Sequence, residues 1–385
     1  MPEKSDGRMD YRKKDKRMRR IMAWIVGCIC LWTTAYAERI MIVSDLHLSE
    51  PFTERAREWS ALAEKAQDCD AILFLGDNTD NGKVNEHEYF LQCIDSLEKQ
   101  TGVSVFVIPG NHDIGMHYSR EDYERDYWDW GNAQAFARDT DSASCAVMLS
   151  ESLCLLLLDS TRSDKGSSRS LPYGGFSETT EMWLKQVLQS LSEDMRILAC
   201  GHHPILSSGR VNQTTGADRI VQILRDGHVI AYLCGHEHGF GTVKGHALRE
   251  IVVGQIQAYP CCCGVVQVTE DIVLWTTEAL FDPQSTVYQE RKKAALDLAY
   301  RMAEGTLKGT VHEGDQEAIG WFSEVFMASS EDRLTADFCQ DMLNKDACRK
   351  WREIETRTVV RDWVLGLLKT PGESVRQILL WKKTL

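Results

Sequence analysis

Five short clusters of carboxylate, amide and imidazole residues mark the sequence. They are Asp45-x-His47, Gly76-Asp77-x-x-Asp80, Gly110-Asn111-His112-Asp113, Gly201-His202-His203-Pro204 and Gly235-His236-x-His238. Each offers Asp, Asn or His, and none offers a thiolate. Such donors suit hard to borderline ions of the Zn, Fe, Mn or Mg type. Glycines beside the donors permit tight turns and close backbone approach. Asp45-x-His47 alone is a chance-level match; five such clusters in one chain are not.

Apolar runs must position these groups. Ile40-Met41-Ile42-Val43 reads as a buried strand. Continued to residue 46, it would put Asp45 and His47 on one face, because side chains alternate along a strand. Further strands are expected over 71–75, 103–108, 197–201 and 229–234, each running into a cluster, with one or two more over 146–158. Helices are expected over 53–66, 85–98 and 216–225. Another, capped by Ser177, carries a stripe of Leu184, Val187, Leu188 and Leu191. Residues 118–141 suggest helical pieces and loop. Residues 242–257 and 264–276 alternate like half-exposed antiparallel strands. The result is a βα alternation with an antiparallel finish, its polar clusters at the C-terminal ends of strands, where open α/β sheets carry sites. From about Pro283 the texture becomes helical, over 287–305, 316–327, 333–343 and 346–368, with a last helix near 373–381. Three regions follow: 1–37, 38–282 and a helical C-terminal extension, 283–385.

The 385 residues carry a net charge of -13, with 43% hydrophobic and 26% charged residues. That balance allows a sizeable core and argues against non-specific binding to nucleic acid polymers, which needs a basic face. Lys13, Lys14, Lys16, Arg17, Arg19 and Arg20 precede an apolar run, Ile21 to Trp32, and an Ala35-x-Ala37 ending. This is the order of a signal peptide. Cleavage after Ala37 is favoured; lipidation at Cys28 and a retained membrane anchor over 21–37 are the alternatives. Each implies export, to the periplasm, the outside or the outer membrane face. The cysteines show no small disulfide framework. Cys154, Cys200 and Cys234 fall in strand-like runs as small hydrophobes, and Cys339 and Cys348 are a candidate pair.

The order of the five clusters resembles the signature of the calcineurin-like metallophosphoesterase superfamily, over about residues 40–240. The resemblance implies an α/β fold, a two-sheet β-sandwich flanked by helices in four layers, with a centre of two divalent metal ions (Mn, Fe or Zn). Carried over by position, Asp45, His47, Asp77 and His238 would hold one ion. Asp77, Asn111, His202 and His236 would hold the other, with Asp77 bridging. His202 is chosen over His203 because the family's ligand precedes x-Pro; His203 then packs or touches substrate. His112 would stay off the metals and assist the leaving group, its ring oriented by Asp113, while a metal-bridging hydroxide attacks phosphorus. Asp80 would support the site from behind.

Purple acid phosphatases have a Tyr where this chain has Asp80 and lack the His matching His47, so an Fe(III)-tyrosinate centre is not expected. The pattern looks more like exported phosphatases and class III cyclic-nucleotide phosphodiesterases. The substrate class implied is a phosphorylated small molecule, mono- or diester, selected by loops such as 118–141 and 163–176. A non-catalytic scaffold or membrane-surface protein on the same fold is the alternative. Elsewhere, His87 reads as a surface-helix residue, His117 as following the Gly-Asn-His-Asp loop, from which it could reach the site, His246 as structural, and Arg210, after Ser207-Ser208-Gly209, as a solvated Arg rather than a phosphate contact.

Overall fold

A computed structural model describes residues 38–52, 56–115, 117–162, 172–206, 214–245, 248–356, 358–369 and 376–383. The leader with Cys28, Arg210, His246 and residues 163–171 lie outside the described residues. The elements begin β1 (Glu38–Val43), α1 (Ala56–Ala66), β2 (Ala71–Phe74), α2 (Val84–Thr101), β3 (Ser104–Val107) and α3 (Arg120–Asp126). They continue as β4 (Ala135–Arg138), β5 (Cys145–Ser150), β6 (Leu153–Leu158), α4 (Glu178–Ser190), β7 (Arg196–Gly201), α5 (Ala217–Asp226) and β8 (Ala231–Cys234). Then come β9 (Gly241–Gly245), β10 (Leu248–Val252), β11 (Cys262–Val268) and β12 (Ile272–Ala279). The chain ends with α6 (Thr286–Leu307), α7 (Gln316–Ser330), α8 (Ala336–Asn344), α9 (Asp346–Arg352), α10 (Thr358–Lys369) and β13 (Gln377–Lys382).

Strands that are apolar at every position must be covered on both faces. Two mixed sheets meet that need, in the orders β13-β12-β11-β1-β2-β3 and β4-β5-β6-β7-β8-β10-β9. Ile40 and Ile42 of β1 face the second sheet, among Leu155, Leu157, Leu198 and Leu233. Met41 and Val43 face the other way, among Leu62, Phe90 and Ile94 of α1 and α2. The outer face of the second sheet packs Leu156, Leu158 and Ala199 against Leu184, Ile220 and Leu224 of α4 and α5. The layers are thus helix, sheet, sheet, helix. The Ser177 cap forms as expected, its Oγ accepting from the Thr180 N–H at 3.1 Å.

Helices α6 to α10 bury a separate core around Phe322, Met342, Trp351 and Leu368. They meet the sandwich through polar contacts: Arg291 with Glu58 at 2.6 Å, and the Tyr259 hydroxyl donating to Glu331. No described helix is long and apolar enough to cross a membrane.

Four expectations need correction. Residues 377–382 form a strand, not a helix: β13 pairs antiparallel with β12 and carries Ile378 into the inter-sheet core. An unpaired neighbouring strand outweighs the local helical signal, because β structure is decided by its neighbours. The helix expected over 346–368 is two, α9 and α10. Within 242–257 only β9 is half-exposed; β10 is buried and runs parallel to β8. Cys339 and Cys348 are both free and buried, as small hydrophobes.

Ile378 is 7% exposed on the last strand of its sheet. Ile378→Ala should lower the unfolding free energy by about 2 kcal/mol, the low end for a buried Ile. Urea unfolding monitored by tryptophan fluorescence checks this; an unchanged midpoint would mean that β13 adds nothing to the sandwich.

Candidate metal centre

The donor residues do not sit on regular strand. Asp45, His47, Asp77, His236 and His238 all have positive φ, from 43° to 70°. This left-handed region is uncommon for non-glycine residues, and such strain gathers at functional sites. It also changes how Asp45 and His47 come together. The β1 ladder ends at Val43, and two loops then bond each other: Asp45 N–H to the Gly76 carbonyl at 3.2 Å, His47 N–H to the Asp77 carbonyl at 2.9 Å. Likewise the Gly235 N–H donates to the His202 carbonyl at 3.0 Å, joining two more donor loops. The glycines are required by contact. A Cβ on Gly110 would fall on the Asp77 carboxylate, and one on Gly235 on the Ser44 hydroxyl.

Asp45, His47, Asp77 and His238 offer one donor atom each within 4.8 Å of one another. The two Nε2 atoms of His47 and His238 face each other at 3.0 Å. His202 Nε2 lies 3.1 Å from Asp77 Oδ2, and the ring centroids of His202 and His236 are 5.2 Å apart. The Nε2 of His202 and Oδ1 of Asn111 are buried with no hydrogen-bond partner. Asp45 and Asp77 are 0% and 1% exposed, and among the described residues neither is paired with a Lys or Arg. Buried carboxylates without a cationic side chain, ringed by imidazoles and an orphaned amide oxygen, fit divalent metal ions.

The local field agrees. Burial alone would disfavour the ionised carboxylates, yet the imidazoles around them, His47 for Asp45 and His202 for Asp77, hold both below the ordinary range. Burial would likewise lower His202, but Asp77 and Asp45 raise it to about 9. His236, half-buried and next to His202, is pushed down to about 4 by desolvation, which lowers the more exposed His238 too. These two rings are neutral and ready to donate a lone pair.

His112 is exposed, with its backbone N–H bonded to Asp77 Oδ1 at 2.8 Å. Its Nδ1 lies 2.6 Å from the Asp80 carbonyl. A carbonyl only accepts, so Nδ1 keeps its proton and the exchangeable one is at Nε2. The orienting group is therefore Asp80, not Asp113 as the sequence suggested. The Asp113 carboxylate is turned inward, accepting from the Thr79 N–H (2.8 Å), the Thr79 hydroxyl (3.0 Å) and the Gly110 N–H (2.9 Å). It braces the two loops that carry Asp77 and Asn111. Asp80 also faces His47, Oδ1 to Nδ1 at 3.3 Å, supporting a candidate ligand as expected. His203 is buried beside His202 and His236, and these three form a second group of ring nitrogens within 4.8 Å.

Two contributors were not foreseen. His87 is buried, not on the surface: its Nε2 donates to the Asp113 carbonyl at 3.0 Å and its Nδ1 accepts from the Tyr127 hydroxyl at 2.8 Å. It therefore supports the His112 loop. Glu250 is fully buried on β10, where Oε2 accepts from Ile205 N–H (2.6 Å) and Leu206 N–H (2.8 Å), pinning the turn after His202-His203. Exposed His117 forms no part of these groups.

The sheets and loops bring together a donor set suited to divalent ions. The chain belongs to the calcineurin-like phosphoesterase family, whose model matches residues 38–240. A probable glycerophosphodiester phosphodiesterase GpdQ of Arcobacter nitrofigilis is 30% identical over 179 residues, 45% of this chain and 58% of that relative. A 3',5'-cyclic-nucleotide phosphodiesterase of Nostoc is 24% identical over 185 residues, 43% of this chain and 56% of the relative. The chain thus spans a little over half the length of the curated relatives it matches. A dimetal phosphatase structure from Danio rerio, 15% identical, covers 64% of this chain and 97% of its own with a TM-score of 0.49.

Two outcomes follow. Gly110→Ala should lower metal content, read by elemental analysis, while far-ultraviolet circular dichroism stays unchanged; full metal content would show that the Asp77 loop can shift. Burial pushes the Glu250 carboxyl up to about 7, against the two N–H bonds that pull it down. A raised folded-state value means stability is fully present below the unfolded value and is lost as pH rises through 7. Glu250→Gln keeps an oxygen acceptor and removes this loss. Relative to wild type it should gain about 2 kcal/mol between pH 5 and pH 8 in denaturant titrations. A difference constant with pH would refute this account of Glu250.

Proposed function

We propose that the protein is a binuclear phosphodiesterase. One divalent ion is held by Asp45, His47, Asp77 and His238; the other is held by Asp77, Asn111, His202 and His236, with Asp77 shared. The observation that carries this reading is the convergence of Asp45, His47, Asp77 and His238 within 4.8 Å, with His202 reaching the same Asp77 carboxylate. The names of both curated relatives support a diester as substrate. The donor chemistry admits Mn, Fe or Zn.

Two such ions, when bound, supply Lewis acidity and a water of lowered pKa to a phosphate ester. The chain's own residues do the rest. Asp45 and Asp77 fix the spacing of the donor loops. His112 stands at the open edge, with Nδ1 held by the Asp80 carbonyl, so its Nε2–H is directed to the leaving-group oxygen as negative charge grows there. The Asp113 carboxylate and His87 hold the His112 backbone from behind. The basic, apolar and small-residue order of residues 1–37 supports a site of action outside the cytoplasm.

The test is hydrolysis of bis-p-nitrophenyl phosphate against p-nitrophenyl phosphate, with Mn, Zn or Fe, alongside metal analysis. A faster diester reaction at two metal equivalents is expected. No bound metal and no turnover would sink the reading; a faster monoester reaction would overturn the substrate class alone. His112→Ala should lower kcat by about 10²- to 10⁴-fold with metal content unchanged. Loss of metal in that variant would show that His112 holds the centre together instead.

A further inference from the structure

We infer that Ser160 fixes the His203 ring in the tautomer that points a hydrogen-bond donor into the metal centre, so that His203 binds a phosphoryl oxygen rather than a metal ion. This rests on the phosphoesterase reading above.

His202 and His203 are adjacent, both are buried, and both Nε2 atoms lack a hydrogen-bond partner. Their other nitrogens tell them apart. His202 Nδ1 lies 2.8 Å from the Leu75 carbonyl, which can only accept. Nδ1 therefore carries a proton, and Nε2, 3.1 Å from Asp77 Oδ2, is the nitrogen left to give a lone pair to an ion that displaces its proton. His203 Nδ1 lies 2.8 Å from the Ser160 hydroxyl, and that same oxygen accepts the His203 backbone N–H at 3.1 Å. A hydroxyl has one hydrogen, and among the described contacts His203 Nδ1 is the group able to accept it, so that arrangement leaves neither unsatisfied. Nδ1 is then the bare nitrogen of the neutral ring, and the hydrogen sits on Nε2. An Nε2–H cannot coordinate a cation.

The pair is held firmly. Ser160 is 0% exposed, and its carbonyl accepts from the Gly175 N–H at 3.0 Å. The Tyr232 hydroxyl donates to the His203 carbonyl at 2.9 Å. Gly174 lies so close over the ring that a Cβ there would strike it. The ring centroid is 4.9 Å from His202 and 4.7 Å from His236, two candidate ligands of one ion. Ring nitrogens of the three lie within 4.8 Å of one another, so an anion drawn to an ion held by His202 and His236 would find a donor on His203 close by. The need is real: among the described residues no Lys or Arg contacts Asp45, Asp77, His202, His203 or His236. Anion recognition beyond the metals then falls to neutral donors such as this one.

The test uses the zinc-loaded full chain, which is diamagnetic. Ring ¹⁵N spectra should show His203 protonated at Nε2 and bare at Nδ1; the reverse pattern overturns the inference. His203→Phe should keep the wild-type zinc equivalents yet bind inorganic phosphate, measured as a competitive inhibitor, about tenfold or more weakly, the worth of a hydrogen bond to a charged group. His203→Gln, which retains an N–H donor, should recover most of that loss. Ser160→Ala should weaken phosphate binding in the same direction, with an unchanged melting curve showing that it folds. Loss of a zinc equivalent in His203→Phe would make His203 a ligand and overturn the inference. So would unchanged phosphate affinity in an enzyme that still hydrolyses diesters, which leaves the phosphoesterase reading intact. A wild type with neither zinc nor turnover would bring down both.

Discussion

Two carboxylates, Asp45 and Asp77, have almost no exposure, and among the described residues no Lys or Arg pairs with them. Burying charge in this way is costly unless cations answer it. The surrounding structure is arranged to meet that cost. Four imidazoles close on the pair, loop N–H groups reach the remaining oxygens, and two mixed sheets hold the loops rigid. The left-handed backbone at five donor positions belongs to the same demand, since loops must fold back sharply for side chains from distant strands to converge. A packed sandwich on both sides over-determines that strain.

Histidine is used here in chemically distinct roles, and each role is set by what holds the second nitrogen. A carbonyl behind His202 leaves a lone pair in front. A carbonyl behind His112 leaves the exchangeable proton in front. His87 is occupied on both nitrogens and is purely structural. Ring identity alone does not distinguish these cases, so the backbone carbonyls Leu75, Asp80 and Asp113 do as much to define the site as the imidazoles themselves.

Much of this was legible in the sequence. The apolar runs before each cluster gave the strands, and the donor types gave the kind of ion. What escaped were partnerships between residues far apart in the chain. Asp113 looked like the partner of its neighbour His112, yet it bonds Thr79 across two loops. His87 looked like a surface residue because its helix is polar, but Tyr118 stacks over it and Tyr127 caps it. Glu250 stood in a strand with nothing to show that its carboxylate would receive the turn after Pro204. Positive φ at Asp45 or His238 has no signal either, since neither is glycine. Sequence reports what a residue can offer; tertiary pairing decides which neighbour takes it.

The last strand has a consequence for how the chain is put together. Because β13 returns to pair with β12, the five helices are a loop spliced between adjacent strands of one sheet, not a tail hung from a finished fold. The β12 edge can be sealed only after everything between has been made, so this sheet is completed late. Cutting the chain near residue 283 would leave the apolar edge around Trp275 open to pairing with another molecule. The helices and the sandwich thus share one fate in folding, although each has its own core.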